Sequence, residues 1–310
     1  LKAELVQVEK HRELIRGSRS KGRLKTAAIV GYTNAGKSTL LNKIMGRKVS
    51  IVSPKAQTTR VRVTGVLTKN DCQYVFLDTP GLHKAKSGLG QAMMQSVSEG
   101  IENADITLFV VEAGDRVLAA EKSIVRMLRA NKMRAFLVIN KTDTVNPPQV
   151  LETIAQFSPL YNFEEVIPVS SLTGDGIDVL LSELEKRAEP FFYYDSTFVS
   201  DMPDAKYVCE VIREKMLYNL GLEIPHTVAL LADSFEQNET LVKCSVTIYC
   251  TRESHKGIII GKGGAMLKKI SMQARLELEE HFGKKVFVEC FVKVKNDWQN
   301  NSSMLTQLGL

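Results

Sequence analysis

The sequence predicts an α/β fold, in which a mostly parallel sheet covered by helices is followed by a small α+β domain. The chain has 310 residues, which suits about two domains. In its first two thirds, short and nearly all-apolar runs alternate with helical stretches. This pattern is typical of parallel strands that are buried on both faces. After residue 204 the strand-like runs alternate apolar and polar residues, which indicates a second folding unit.

The first unit is predicted from five apolar runs that have the length of strands. They are Thr26–Gly31, 74–78, Ile106–Glu112, Ala135–Asn140 and 166–170. Sheets of this kind bind their ligands at the carboxyl ends of the strands. We therefore expect the chemistry of the protein in the loops that follow these runs.

The second unit is predicted to contain two helices and three strands. The helices are expected at 205–219 and Ala265–Phe282, and the strands at 226–234, 241–251 and 286–295.

Together these elements predict five segments along the chain. They are a basic N-terminal helix (1–23), a first domain (24–190), a linker (191–204), a second domain (205–298) and a C-terminal tail (299–310).

Composition narrows the class of protein. Hydrophobic residues make up 44% of the chain and charged residues 25%, the balance of a soluble globular protein. The five cysteines are scattered and form no CxxC pair, which favours a reducing compartment and argues against a structural zinc site. The longest apolar runs are too short to span a bilayer.

The net charge of +6 is unevenly distributed. Residues 1–25 contain eight Lys and Arg against three Glu, and residues 252–295 contain ten against five. Two basic stretches around a mildly acidic body suggest a polyanionic partner. The alternative, that both stretches are only solvated helix faces, stays open on charge alone.

Residues 31–38 match the phosphate-binding pattern GxxxxGK[ST] in the context that it requires, after a strand and before a helix. Lys37 is expected to bridge the β- and γ-phosphates, and Ser38 to hold Mg²⁺. Backbone N–H groups of the loop and of the helix start are expected to surround the phosphates. The predicted phosphate-binding residues are Asn34, Ala35, Gly36, Lys37, Ser38 and Thr39.

Three further strand ends extend this site. Asp78, at the end of the second run, is placed to reach the metal, and the Gly81 N–H is placed to sense a γ-phosphate. The sequence NKTD at 140–143 closes the fourth run. Its carboxylate, Asp143, can accept both donors of a guanine edge, which adenine does not offer.

Asn140 and Lys141 belong to the same guanine motif. The fifth run ends in Ser170, Ser171 and Leu172, where a backbone N–H can bind the guanine O6. The sequence therefore predicts GTP and GDP as ligands, with Mg²⁺.

The loop at 48–62 contains Gln57, Thr58, Thr59 and Arg60. A threonine of this loop is expected to complete the Mg²⁺ shell only when GTP is bound, and to leave it after hydrolysis. Thr59 is the favoured residue and Thr58 the alternative. Lys37, Thr59 and Gly81 are thus the predicted catalytic group, and Ser38, Thr59 and Asp78 the predicted metal group.

The second unit contains a GxxG sequence, Gly261, Lys262, Gly263 and Gly264, between the run 258–260, interpreted as a strand, and a basic helix. In KH domains such a loop clamps the backbone of single-stranded RNA. Lys268 and Lys269 in that helix are predicted to join the clamp. A plain turn is the alternative interpretation of GxxG by itself.

Several segments together resemble the bacterial Era family of GTPases, over about residues 38–298. The segments are KVSIVSPKAQTTR (48–60), FLDTPGLHKA (76–85), NKTD (140–143), VCEVIREK (208–215) and VKVKNDW (292–298). The resemblance implies a P-loop GTPase domain followed by a type II KH domain. It further implies binding to ribosomal RNA near the 3′ end of the small-subunit species and a role in assembly of the small ribosomal subunit.

Residues 1–40 are more similar to another ribosome-associated GTPase family, HflX. Thr33 stands where Era proteins usually have proline. This similarity leaves open an HflX-like factor that acts on the large subunit. A separate alternative is an RNA-binding scaffold whose nucleotide site only stabilises the fold. The resemblance leads us to expect a cytoplasmic monomer, with peripheral contact at the inner face of the cell membrane left open.

Hydrolysis is expected to be slow because Leu82 stands where many GTPases place a water-orienting glutamine. His83 is a weak substitute. In some GTPases related to Era, an asparagine at the position of Asn34 ligates K⁺ beside the phosphates. The alternative is that Asn34 only braces the loop.

Overall fold

The computed structural model describes residues 26–69, 72–82, 87–188, 192–221 and 223–310. The predicted N-terminal helix (1–23) and His83 lie outside the described residues. The chain divides into two compact units. The first takes in residues up to 52, 59–84 and 93–201, and the second takes in 53–58, 85–92 and 202–310.

The sheet of the first unit follows the predicted pattern, with one addition. Its strands are β1 (Thr26–Gly31), β2 (Val63–Lys69), β3 (Cys72–Asp78), β4 (Ile106–Glu112), β5 (Ala135–Asn140) and β6 (Glu165–Pro168). They lie in the order β2-β3-β1-β4-β5-β6, and only the β2–β3 pair is antiparallel. The predicted α/β class is confirmed. Strand β2 was not predicted, because glycine and threonines interrupt its apolar residues.

Helices connect these strands and place the loops at the carboxyl edge. They are α1 (Lys37–Met45), α2 (Gly88–Glu102), α3 (Ala119–Ala130), α4 (Pro147–Phe157) and α5 (Ile177–Glu185). Buried side chains of β1, β4 and β5 pack with those of α3 and α4 in one apolar cluster. Because the strands are buried throughout, their polar ends emerge together at one edge of the sheet.

The second unit has the order α-β-β-α-α-β, followed by a short terminal helix. Its elements are α6 (Asp204–Asn219), β7 (Ala229–Gln237), β8 (Leu241–Cys250), α7 (Glu253–Ile260), α8 (Ala265–Phe282), β9 (Lys285–Val294) and α9 (Ser302–Gln307). Strand β8 lies in the centre, antiparallel to β7 and parallel to β9. This is the predicted type II KH arrangement.

One expectation for the second unit was wrong. The run 258–260 is the end of helix α7 and not a strand, so the GxxG loop joins two helices. Three consecutive isoleucines favour a strand by propensity alone. Only Ile259 is buried, however, and Ile258 is half exposed, which is the spacing of a helix that turns one residue towards the core.

The predicted linker 191–204 contributes to the first unit over part of its length. The rings of Tyr194 and Phe198 stack with centroids 4.8 Å apart and pack against apolar residues of β2 and β3. The N–H of Val66 donates to the carbonyl of Val199 at 2.7 Å. These contacts hold the segment along the edge strand.

Trp298 is part of the core of the second unit. It is fully buried, and its indole N–H donates to the carbonyl of Thr227 at 2.8 Å. Stacking of this ring on an RNA base is therefore excluded in this conformation. In the described part of the chain, no helix is long and apolar enough to cross a membrane.

Candidate nucleotide and RNA sites

The loop between β1 and α1 is shaped by glycines that no other residue can replace without a shift. A Cβ on Gly31 would lie 2.3 Å from the carbonyl oxygen of Val110, and one on Gly36 would lie 2.2 Å from Nδ2 of Asn140. Gly36 also has φ +88 at the start of α1. The loop therefore passes close to its neighbours and leads into the N-terminus of α1, a position whose free N–H groups suit an anion.

Lys37 is held inside this loop. Its ammonium donates to the carbonyls of Gly31 at 3.2 Å and Tyr32 at 2.7 Å, and the side chain is almost fully buried. Burial lowers the pKa of Lys37 to about 8, while the nearby carboxylate of Asp78 opposes this shift. A phosphate placed in the loop adds negative charge beside the ammonium and favours its charged form.

Three predicted metal residues are brought together by short contacts. The hydroxyl of Ser38 donates to Oδ2 of Asp78 at 2.6 Å and lies 2.7 Å from Oγ1 of Thr59. Oδ1 of Asp78 is buried and has no hydrogen-bond partner among the residues that the structure describes. Burial raises the pKa of Asp78, and the hydrogen bond from Ser38 and the charge of Lys37 oppose it. Hydroxyl and carboxylate oxygens at this spacing fit Mg²⁺, which prefers oxygen ligands.

Ser50 completes this cluster and was not predicted. Its hydroxyl donates to Oδ2 of Asp78 at 3.1 Å, and its backbone N–H and carbonyl are both bound by the amide side chain of Asn42. A buried serine at no fixed distance from a motif gives no signal in the sequence. Its hydroxyl thus joins Ser38 in holding Oδ2 of the Asp78 carboxylate.

The predicted guanine loops are tied together by Asn140. Its Nδ2 donates to the carbonyl of Ala35 at 2.8 Å, while its Oδ1 accepts from the backbone N–H and the hydroxyl of Ser171 at 3.0 and 2.8 Å. One amide thus joins the phosphate loop to the loops after β5 and β6. The arrangement holds the predicted phosphate loop and the predicted guanine loops at a fixed spacing.

The side chain of Asp143 is exposed, and one of its oxygens is held by a hydrogen bond. Oδ1 accepts from the hydroxyl of Ser170 at 2.6 Å. Lys141 has φ +62 and pairs with Glu112 at 2.5 Å. Glu112, at the end of β4, is a second residue that the sequence did not predict. The side chain of Leu172 is 74% exposed, so its contribution to a ligand site comes from the backbone.

The loop after β3 lies against the phosphate loop. A Cβ on Gly81 would lie 2.8 Å from Cα of Thr33, so this position also requires glycine. The N–H of Leu82 donates to the carbonyl of Gly31 at 3.2 Å, and its side chain is buried in the apolar cluster of the sheet. Leu82 therefore cannot orient a water molecule.

The GxxG loop of the second unit presents bare backbone to solvent. Gly263 and Gly264 have φ +59 and +80, and a Cβ at either position would meet nothing within 4 Å. Gly261 differs, because a Cβ there would lie 2.7 Å from Cβ of Met266. Lys262 is exposed, as are Lys268 and Lys269 in the first turns of α8. Positive charge and a helix N-terminus thus adjoin an open backbone surface, which suits phosphates.

Comparison with known proteins matches both units to known domain families. Residues 26–141 match the family model described as a 50S ribosome-binding GTPase, and residues 223–299 match the KH domain model. The chain is 44% identical to the GTPase Era of Ruminiclostridium cellulolyticum over 91% of this chain and 95% of that protein. It is 42% identical to the GTPase Era of Caldanaerobacter subterraneus over 91% and 96%.

Two solved structures are similar over nearly the whole chain. A crystal structure of an Aquifex aeolicus Era variant bound to GDP and AlF₄⁻ has a TM-score of 0.88 at 33% identity, covering 93% of this chain and 99% of that chain. A crystal structure of Era with MgGDPNP and nucleotides 1506–1542 of 16S ribosomal RNA has a TM-score of 0.88 at 34% identity, with the same coverage.

Proposed function

Because the chain belongs to the Era family of GTPases, we propose that it is a GTP-driven switch that binds small-subunit ribosomal RNA and assists assembly of the small subunit. The observation that carries the proposal is the presence, in one chain, of a connected guanine-nucleotide site and an open GxxG clamp beside three lysines. The Era protein solved with nucleotides 1506–1542 of 16S ribosomal RNA supports the 3′ region as the RNA.

The proposed roles follow the geometry. Ser38, Thr59 and Asp78 hold Mg²⁺, which when bound neutralises charge on the phosphate oxygens. Lys37 and the loop N–H groups position the phosphates, and Asp143 selects guanine.

The boundaries 24–190 and 205–298 remain the proposed domain limits. A monomer in the cytoplasm is the proposed state, and sedimentation of the purified chain and of membrane fractions tests it.

The decisive experiment compares RNA affinity in two nucleotide states. We expect the chain to bind a fragment of the 3′ end of small-subunit RNA at least about tenfold more tightly with a non-hydrolysable GTP analogue than with GDP, a typical size of coupling between two sites. Fluorescence anisotropy at fixed salt measures both constants. Equal affinities in the two states, or no GTP turnover, would favour the scaffold with a structural nucleotide site.

Preference for one ribosomal subunit distinguishes the proposed function from the HflX-like alternative. The HflX-like interpretation places the chain on the large subunit, and the description of the family model at 26–141 names that subunit. The relatives that are similar over nine-tenths of the chain are Era proteins. We therefore expect co-sedimentation with small subunits, and pelleting with large subunits alone would reverse the assignment.

Monovalent ions provide a further prediction, at Asn34. This residue is exposed and has φ +65, so its side chain lies at the surface of the phosphate loop. If it ligates K⁺ beside the phosphates, the ion offsets charge that develops during hydrolysis, as an arginine finger does. We expect faster turnover in KCl than in NaCl at equal ionic strength.

The Asn34 variants show whether this residue causes the difference. Asn34→Ala is expected to abolish the difference in turnover between KCl and NaCl. Asn34→Gly is the matched variant, because it also removes the amide side chain but keeps the positive φ without strain. Equal rates in the two salts for the intact protein would leave Asn34 with the bracing role only.

A further inference from the structure

Residues 53–58, here called the anchor loop, form a compact turn that is grouped by its contacts with the second unit. The hydroxyl of Thr58 donates to the carbonyl of Lys55 at 2.7 Å and lies 2.7 Å from the hydroxyl of Ser53. The N–H of Lys55 donates to the hydroxyl of Ser53 at 3.2 Å. Because the loop is bonded to itself, it moves as one piece. Its last residue, Thr58, directly precedes Thr59 of the candidate metal site.

Arg213 of helix α6 binds this loop from a buried position. The side chain is 2% exposed, and its Nη2 donates to the carbonyl of Thr58. It also pairs with Glu210 through Nε, at 3.1 Å from Oε1, and through Nη2. Nη1 is buried and finds no hydrogen-bond partner within the described part of the chain. A buried guanidinium that already lacks one acceptor is destabilised if it loses another.

A second bond holds the other side of the anchor loop. The ammonium of Lys55 donates to the carbonyl of Leu220, the residue that follows the last turn of α6. Two cationic side chains therefore tie the loop and the C-terminal half of α6 together. A displacement of the loop removes both bonds or moves the helix with it.

Helix α6 is in turn bonded to helix α8, which starts directly after the GxxG clamp. Lys215 pairs with Glu214 at 2.8 Å and with Glu277 of α8. Nδ2 of Asn219 donates to Oε1 of Gln273, also in α8, at 2.6 Å. The helix that holds Thr58 thus also positions the helix that carries Lys268 and Lys269.

From these contacts we infer that Arg213 is a positioning residue through which occupancy of the nucleotide site sets the RNA affinity of the GxxG clamp. Thr59 Oγ1 lies at the metal site, 2.7 Å from Oγ of Ser38, and one peptide bond separates it from the carbonyl that Arg213 binds. When Thr59 leaves after loss of the γ-phosphate, the Thr58 carbonyl moves away from Arg213. Linkage requires the reverse effect, so RNA that stabilises α8 also favours Thr59 at the metal site. This inference rests on the proposed function.

The test uses the double variant Arg213→Met with Glu210→Gln, which removes the guanidinium without leaving a carboxylate unpaired. RNA affinity is measured with a GTP analogue and with GDP. In the intact chain, the RNA affinity with the GTP analogue is expected to exceed that with GDP by at least about tenfold. In the double variant, the two affinities are expected to agree within about twofold. Its affinity for nucleotide without RNA is expected to stay within about threefold. Arg126→Met, at an exposed arginine of α3 that donates to Ser123 of its own helix, is the matched control and keeps the full ratio.

Hydrogen exchange provides a second readout that is independent of GTP turnover. In the intact chain, RNA is expected to protect the amides of residues 53–59, and in the double variant this protection is lost. A double variant that folds, binds nucleotide and keeps the intact ratio would overturn the role of Arg213. If the intact chain itself shows no difference between the two nucleotides, the proposed switch fails, and the coupling fails with it.

Discussion

Replacing Asp143 by asparagine is expected to change the base that the nucleotide site selects. In the structure, Oδ1 of Asp143 accepts a hydrogen bond from the hydroxyl of Ser170, and the side chain is exposed. A carboxylate accepts two donors of guanine. An amide that keeps its oxygen on Ser170 presents an NH₂ group instead, which repels those donors and matches the carbonyl of xanthine.

The expected loss of GDP affinity follows from the two hydrogen bonds that guanine donates to the Asp143 carboxylate. Hydrogen bonds to a charged group contribute about 1.5–3 kcal/mol each, so losing both costs roughly 3–6 kcal/mol, or about 10²–10⁴-fold in affinity. Xanthosine diphosphate is expected to gain affinity in the variant. Calorimetric titration with the guanine, xanthine and adenine diphosphates measures all three constants.

Ser170→Ala is the matched control for this exchange. It removes the hydroxyl that fixes Oδ1 but leaves the carboxylate, so affinity for GDP falls by a few fold while preference for guanine remains. If Asp143→Asn bound GDP as tightly as the intact protein, another group would select the base, and the assignment of 140–143 would be wrong.

The sequence predicted the strands best where burial on both faces leaves almost only apolar residues between the strand ends. Strands β1, β4 and β5 begin and end where the apolar runs do. Strand β2 is mixed in composition, so nothing in its pattern distinguishes it from a loop. The isoleucines of α7 show the opposite failure. Their local propensity indicates a strand, but in the fold they end a helix in which Ile259 is buried and Ile258 is half exposed.

The residues of the candidate sites also fall into two groups, those that the sequence singles out and those that it does not. Ser38 and Asp143 belong to loops of fixed spacing, so the sequence alone makes them candidates, because a nucleotide would dictate both the residue type and its position. Ser50, Glu112 and Arg213 are not singled out. Each acts through a contact with a residue far away in sequence, such as Asp78 for Ser50 and Thr58 for Arg213. Only the folded chain brings these partners together.

The RNA clamp is expected to be destroyed by a single carboxylate at Gly263. This position has φ +59 and open space where a side chain would begin. Asparagine and aspartate are the residues that best tolerate such a backbone, so neither is expected to unfold the domain. The pair Gly263→Asp and Gly263→Asn therefore differs in charge and hardly in shape.

The charge decides the expected effect. A carboxylate about 5 Å from a bound phosphate costs roughly 3 kcal/mol at an effective dielectric constant near 20, which is about a hundredfold in affinity. Gly263→Asp is expected to lose RNA by about that factor, while Gly263→Asn loses only a few fold. GDP affinity without RNA is expected to stay the same in both, since the substitution lies far along the chain from the nucleotide loops.

Salt dependence shows whether the weaker binding comes from the phosphates. Changing Lys262, Lys268 and Lys269 to glutamine is expected to lower the slope of log affinity against log salt by about 0.7 for each phosphate of a single strand that is no longer neutralised by a lysine. Gly283→Asp is the positional control, because Gly283 also has positive φ and open space but lies at the far end of α8. Equal RNA affinity for Gly263→Asp and Gly263→Asn would mean that no phosphate approaches this loop, and the RNA would then have to bind elsewhere on the chain.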